Sequence, residues 1–231
     1  MREVGYLIYY GQSAFELVVE GKKILIDPWI SNPKSVASID KINNVDLIIL
    51  THGHEDHVGD TIEIMKRNEK SKVAAIFELA NYIGQKIGNE ERVIGGNMGG
   101  PMIVDGLKIA LTPANHSSGN LGAPTGVIII SKEGTIYHAG DTGIMSEMQL
   151  IGEIYKPDIA LLPIGGHFTM DQNEAAKAVE LIKPKVAIPM HYGTFPVLYG
   201  DPEEFRRIVI SRGINTNVVI LRPGEKFEFS F

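Results

Sequence analysis

Cysteine is absent from the 231 residues. That excludes structural disulfides and thiolate metal sites, so any metal must be held by His, Asp or Glu. No apolar run approaches the roughly eighteen residues that a membrane-spanning helix needs, and no membrane partner is expected. Blocks of one charge are missing too, the net charge of −6 being spread along the chain. A broad nucleic-acid-binding surface needs clustered Lys and Arg, so nucleic acid is not an expected partner. The opening Met1-Arg2-Glu3-Val4-Gly5-Tyr6 has no secretory-signal pattern, which makes the cytoplasm the expected location. What is present is ordinary globular composition, 44% hydrophobic and 22% charged. The length allows a substantial core, and with no linker visible, residues 1–231 read as one domain.

The most informative stretch is Thr51-His52-Gly53-His54-Glu55-Asp56-His57. It follows Asp46-Leu47-Ile48-Ile49-Leu50, an aliphatic run that reads as a buried strand. Side-chain alternation along such a strand would send His52 and His54 the same way. Asp56 and His57 come where the chain must turn, so they can approach the same point from another side. Four metal-binding side chains around one point suit a borderline-soft divalent ion such as zinc.

The chain before this motif reads as three strands, Tyr6 to Tyr10, Ala14 to Val19 and Lys23 to Asp27. Glu20-Gly21-Lys22 makes a hairpin turn between the last two. After the motif, a helix is expected over Asp60 to Asn68 with Asp60 as cap, then a strand over Lys72 to Phe77. A second helix follows over Glu78 to Ile87, closed by Gly88. Gly95 to Gly100 reads as a loop. Strands are expected over Met102 to Val104, Leu107 to Thr112, Gly126 to Ser131, Thr135 to His138, Asp158 to Leu162 and Lys185 to Pro189. Helices are expected over Met145 to Tyr155, Asp171 to Lys183 and Glu203 to Arg212, and two strands finish the chain. About a dozen short strands and five helices in two similar halves bury best as two face-to-face sheets with helices on both outer sides.

Four further strands lead to metal-binding residues: the Leu107 run to His116, the Thr135 run to Asp141, the Asp158 to Ile164 run to Gly165-Gly166-His167 and the Val186 run to His191. In open sheets, ligands gather beyond one set of strand ends, so these residues are expected to converge on the first cluster. Each has a plainer alternative: His116 as a loop residue, Asp141 as a turn former, His191 as a core histidine. His138 lies on its strand rather than past the end, and reads as a packing or ligand-orienting residue. Asp27 at a strand end is a candidate carboxylate for orienting a ligating imidazole. His167, after Gly165-Gly166, is open to either reading.

The ordered set Thr51 to His57, His116, Gly140-Asp141-Thr142 and His191 resembles the metallo-β-lactamase superfamily. Leu25-Ile26-Asp27-Pro28, Leu162-Pro163-Ile164-Gly165-Gly166 and Pro189-Met190-His191-Tyr192-Gly193-Thr194 look most like its uncharacterised metal-dependent hydrolases close to the L-ascorbate-6-phosphate lactonases. The resemblance implies an α/β fold, an αβ/βα four-layer sandwich with a two-metal site. His52, His54 and His116 would hold one ion; Asp56, His57 and His191 the other; Asp141 would bridge them. The ions implied are zinc first, with manganese, iron or nickel as alternatives.

The expected function is hydrolysis of a small ester-type substrate, a lactone or a phosphodiester, by a hydroxide shared between the two metals. Asp141 would orient that nucleophile, Asp56 would add a second carboxylate, and His167 would contact the oxyanion or a phosphate. His167 stands where the resemblance leads to expect Asn, which leaves that role open. The partner expected is a small molecule, phosphorylated in one reading, and a homo-oligomer stays open. The rival readings are a di-iron redox or oxygen-handling module on the same fold and a metal-binding protein without chemistry.

Overall fold

A computed structural model describes residues 4–231, and these form two seven-stranded sheets with six α-helices. The first sheet runs β1 (Gly5–Gly11), β2 (Ala14–Val19), β3 (Lys22–Ile26), β4 (Leu47–Ile49), β5 (Lys72–Ile76) and β6 (Val93–Gly96). β2 pairs antiparallel with β1 and β3, while β3 through β6 are parallel. The second sheet is built from β7 (Met102–Val104), β8 (Leu107–Pro113), β9 (Thr125–Ile130), β10 (Thr135–His138), β11 (Ile159–Pro163), β12 (Val186–Met190) and β13 (Asn217–Val218). It repeats the scheme, antiparallel from β7 to β10 and parallel from β10 to β13. The last strand, β14 (Lys226–Phe229), returns to the first sheet beside β1.

Parallel strands here are buried on both faces and therefore read as continuous apolar runs. Every residue of β11 and β12 is buried. Alternation then divides them between two cores. Ile159 and Leu161 join Ile24, Leu47 and Ile49 of the first sheet between the sheets. Ala160 and Leu162 join the outer helices α4 (Glu147–Tyr155), α5 (Gln172–Ile182) and α6 (Pro202–Ser211). On the other flank, α2 (Thr61–Arg67) and α3 (Phe77–Ile87) cover the first sheet with Ile64, Met65, Leu79 and Ile83. This is the four-layer sandwich the sequence predicts. None of the described helices is long and apolar enough to cross a membrane.

The hairpin at Glu20-Gly21 has positive φ at both residues, 49° and 70°, the twist a two-residue turn needs. Asp171 caps α5 as expected, accepting from the N–H groups of Asn173 and Glu174. Asp60 does not cap α2; its carboxylate instead accepts from the backbone N–H and hydroxyl of Ser31. The supposed Gly95 loop begins as strand β6, with Gly95 and Gly96 paired to Ala75 and Ile76. The strand over Asp46 to Leu50 shortens to Leu47–Ile49, and α4 begins two residues later than the Met145 expected.

Candidate metal centre

β8 runs antiparallel to β9 and β9 antiparallel to β10, so β8, β10 and β12 all point the same way. Their carboxyl ends lie along one edge, and His116, Asp141 and His191 follow them there. Opposite stands the end of β4, followed by His52 and His54. These two do not owe their convergence to strand alternation, because the strand has already ended at Ile49. The loop turns them together, with His52 Nε2 3.0 Å from His54 Nδ1. A four-residue helix, α1 (Glu55–Val58), then carries Asp56 and His57.

All seven predicted ligands meet. His52, His54, His116 and Asp141 form one group whose donor atoms lie within 4.8 Å of one another; Asp56, His57, Asp141 and His191 form another. Asp141 belongs to both. Its Oδ2 is 3.0 Å from His191 Nε2, 3.2 Å from His57 Nε2, 3.5 Å from His116 Nε2 and 3.9 Å from His52 Nε2. Tetrahedral zinc with bonds of 2.0–2.1 Å would hold its ligand atoms about 3.3 Å apart, close to these spacings.

Burial supplies a further test of whether a cation fits. His57 Nε2 and Asp141 Oδ1 are buried with no hydrogen-bond partner. Buried polar atoms are normally satisfied, and two orphans within one cluster of donors fit an ion. His52 Nε2 and His54 Nδ1, both lone-pair atoms in neutral ligating rings, face each other, which suits a cation between them. The donor set is His and Asp throughout, the chemistry of a divalent zinc, manganese, iron or nickel site.

The proton positions are set from behind. Asp27 is fully buried, and its Oδ2 accepts from His57 Nδ1 at 2.6 Å and from Thr51 Oγ1 at 2.6 Å. The Thr51 N–H donates to its Oδ1 at 2.8 Å. With its proton committed to Asp27, the Thr51 hydroxyl accepts from His52 Nδ1 at 3.0 Å. Both rings therefore turn unprotonated Nε2 atoms toward the centre when neutral. His138 is no ligand: its Nε2 donates to the Ser13 carbonyl and its Nδ1 accepts the Gly140 N–H. It thereby holds the turn that presents Asp141.

Gln12 is a site residue that sequence reasoning missed. Its Nε2 donates to Asp56 Oδ2 at 2.8 Å, and its carbonyl accepts the His191 N–H at 2.7 Å. Both it and His191 adopt positive φ, 50° and 58°. One residue between β1 and β2 thus positions two donors of the second group.

Electrostatics follow this crowding. Burial would raise the Asp141 carboxyl, but His191 and His57 outweigh it and hold it well below the usual range. Asp56 is likewise lowered against its burial by His191 and His57. Burial would lower His191, yet Asp141 and Asp56 push it up to about 9. His57 rises for the same reason, through Asp141 and Asp27. His52 is pushed well down by burial and by neighbouring His57.

A cleft of about 530 Å³ opens onto this centre, reaching Asp56, Asp141, His116 and His191. Its outer wall is Phe168, Phe195 and Val197. Grooves of about 650 and 720 Å³ lie at the amino ends of the strands, away from every donor, so volume does not identify the site. His167 is not among the residues brought together. It is exposed, with φ 60° and its ring edge-on to Phe168.

The Beta-lactamase superfamily domain matches residues 22–192. The chain belongs to the metallo-β-lactamase superfamily. It is 55% identical over 238 residues to a "UPF0173 metal-dependent hydrolase" of Aeropyrum pernix, covering 97% of this chain and 98% of that one. Among solved structures, Igni18, a metallo hydrolase from Ignicoccus hospitalis, is 47% identical with a TM-score of 0.92, over 99% of this chain and 100% of that one. An isothiocyanate hydrolase from Delia radicum gut bacteria shares the fold, at 20% identity and a TM-score of 0.77 over 97% and 99% of the two chains.

Proposed function

We propose that this chain is a metal-dependent hydrolase of small ester-type substrates, a lactone or a phosphodiester, built around two divalent cations. His52, His54 and His116 would hold one and Asp56, His57 and His191 the other, with Asp141 shared. The observation that carries this reading is Asp141 itself, one carboxylate belonging to two adjoining donor groups at the floor of a cleft. Close relatives named as metal-dependent hydrolases support it.

Divalent cations supply Lewis acidity, polarising an ester oxygen and making hydroxide available near neutral pH. The chain's own groups do the rest. Asp56 and Asp141 are the two carboxylates that line the cleft, and both stay ionised at neutral pH. Asp141 Oδ2 is ringed by imidazoles, so its part is to hold the centre together. Asp56, one-fifth exposed and steadied by Gln12 Nε2, adds a second ionised carboxylate to the donor set facing the cleft. The scheme uses no group on His167.

Turnover of γ-butyrolactone and of a chromogenic phosphodiester by zinc- and manganese-loaded enzyme tests this, beside Asp141→Ala. Metal-dependent turnover of either substrate that disappears in Asp141→Ala is expected. Equal rates in the two proteins would refute the scheme.

A further inference from the structure

We propose that Phe168, Phe195 and Val197 form a specificity wall for an uncharged hydrocarbon arm of the substrate. The substrates would then be carboxylic esters or lactones carrying an aliphatic or aromatic group, not phosphorylated metabolites. This rests on the hydrolase reading and narrows it.

The composition of the cleft divides sharply. One side is five of the donor residues with the Ser117 hydroxyl; the other is Phe168, Phe195 and Val197, and none of the lining residues is Lys or Arg. Sites that bind a substrate phosphate place a guanidinium, an ammonium or a helix N-terminus against its oxygens. Here, a phosphate projecting from the reacting centre would meet aromatic rings and lose its water without a partner. A hydrocarbon arm would gain by displacing that water.

The wall stands in water although two cores are available to it. Phe168 is 53% exposed and Val197 44%, and Tyr199 beside them is 63% exposed. Clustered apolar exposure at the mouth of a reactive cleft marks a binding surface more than a packing accident. The wall is also held firmly, as a specificity site must be. The Met170 N–H donates to the Thr142 carbonyl, next to Asp141, and the Gly166 N–H donates to the Met170 carbonyl. That fixes the turn carrying Phe168 to the catalytic edge. The N–H groups of Tyr199 and Gly200 both donate to the Gly165 carbonyl, clamping the Val197 loop onto the same turn. Phe195 stacks on Trp29, with ring centroids 5.7 Å apart and planes 20° from parallel.

The reaction balances as hydrolysis. The acyl carbon gains the water's hydroxyl oxygen, its bond to the alkoxide oxygen breaks, and the water's proton ends on that alkoxide. The arm takes no part in bond making; it sets which esters are bound.

The test compares γ-butyrolactone, γ-hexalactone and γ-nonalactone with a phosphorylated aldonolactone, on zinc-loaded enzyme with a pH-indicator readout. Each methylene buried on the wall favours binding, so kcat/KM should rise roughly tenfold or more along the alkyl series. The phosphorylated lactone should fall below γ-nonalactone. Phe168→Ala and Val197→Lys, both at exposed positions, should shrink the ratio of γ-nonalactone to γ-butyrolactone. A flat series with Asp141-dependent turnover, or a faster phosphorylated lactone, overturns the wall and leaves the hydrolase reading intact. If no lactone is turned over, the lactone half of the hydrolase reading fails while its phosphodiester half is judged separately, and binding decides the wall on its own. Trp29 is the single tryptophan of the chain, so γ-nonalactone should shift its emission saturably, and less so in Val197→Lys. No saturable shift would also overturn the proposal.

Discussion

Asp27 shows how a residue that touches no substrate governs the centre. It fixes His57 directly and His52 through the Thr51 hydroxyl. Asp27→Asn should therefore lower metal affinity or turnover about 10–100-fold, read by metal titration and kcat together. An unchanged metal affinity would deny it the orienting role. Gln12→Ala should act on the second donor group alone, by freeing Asp56; a loss of one bound ion per chain, counted by mass spectrometry, is the expected sign. His191 makes the pH dependence concrete. In metal-free protein its folded value of about 9 exceeds the unfolded value of about 6.5. That stabilisation is fully present below pH 6.5 and disappears as pH rises through 9. His57, also raised, works in the same direction. His52, His116 and His138 are lowered, so they penalise the fold only below 6.5 and do not offset this loss at higher pH. Melting of chelated protein should therefore move to lower temperature between pH 7 and pH 9. Binding of zinc at pH 7.5 should release protons into a weakly buffered solution, since ligating imidazoles must be neutral. Zinc uptake without proton release would contradict this.

At the scale of elements, the centre depends on how closely loops can approach. A Cβ on Gly165 would collide with the His191 carbonyl oxygen. Gly165→Ala should cost about 1–3 kcal/mol by overpacking and weaken the second donor group as well. Asp171→Ala, which removes the α5 cap, should cost about 1 kcal/mol and leave metal content unchanged. Equal metal content in both variants would show that the Gly165 contact does not reach the site. The same scale decides what the sequence made legible. The apolar runs that end in His52, His116, Asp141 and His191 announced both the strands and the site, because a buried strand must be continuous and its end is sharp. Helix α1 was not legible, since four residues carry no period and His54 is no usual cap. Asp60 was misread because Ser31, distant in sequence, outbids the helix for its carboxylate. β6 was hidden by Gly95 and Gly96; Gly95 is small because the Phe77 ring lies against it. Gln12 had no local signal at all, as its partners Asp56 and His191 come from far along the chain.

For the whole molecule, the centre is a clasp between two sheets. His52, His54, Asp56 and His57 follow a strand of the first sheet, and His116, Asp141 and His191 follow strands of the second. Two backbone bonds near the clasp, from the Thr125 N–H to the Thr51 carbonyl and from the His191 N–H to the Gln12 carbonyl, already join the sheets there, and the Thr125 hydroxyl also donates to the Thr51 carbonyl. Ions shared by both sheets would add their binding free energy to folding, because the unfolded chain offers no preformed site. At a free-ion concentration 1,000 times Kd this amounts to about 4 kcal/mol for each ion bound. For a chain of this length one ion then corresponds to a Tm rise on the order of 10 °C. Without ions, buried Asp141 and partly exposed Asp56 would stand beside protonated His57 and His191, a cluster that is satisfied only in part. Hydrogen exchange should then quicken first in the loops after β4, β8, β10 and β12, while the β11 core stays protected. Melting and exchange of the same protein with and without chelator test the clasp. An unchanged Tm, with exchange unaltered in those four loops, would mean that the sheets hold together by their apolar faces alone and that the ions serve chemistry only.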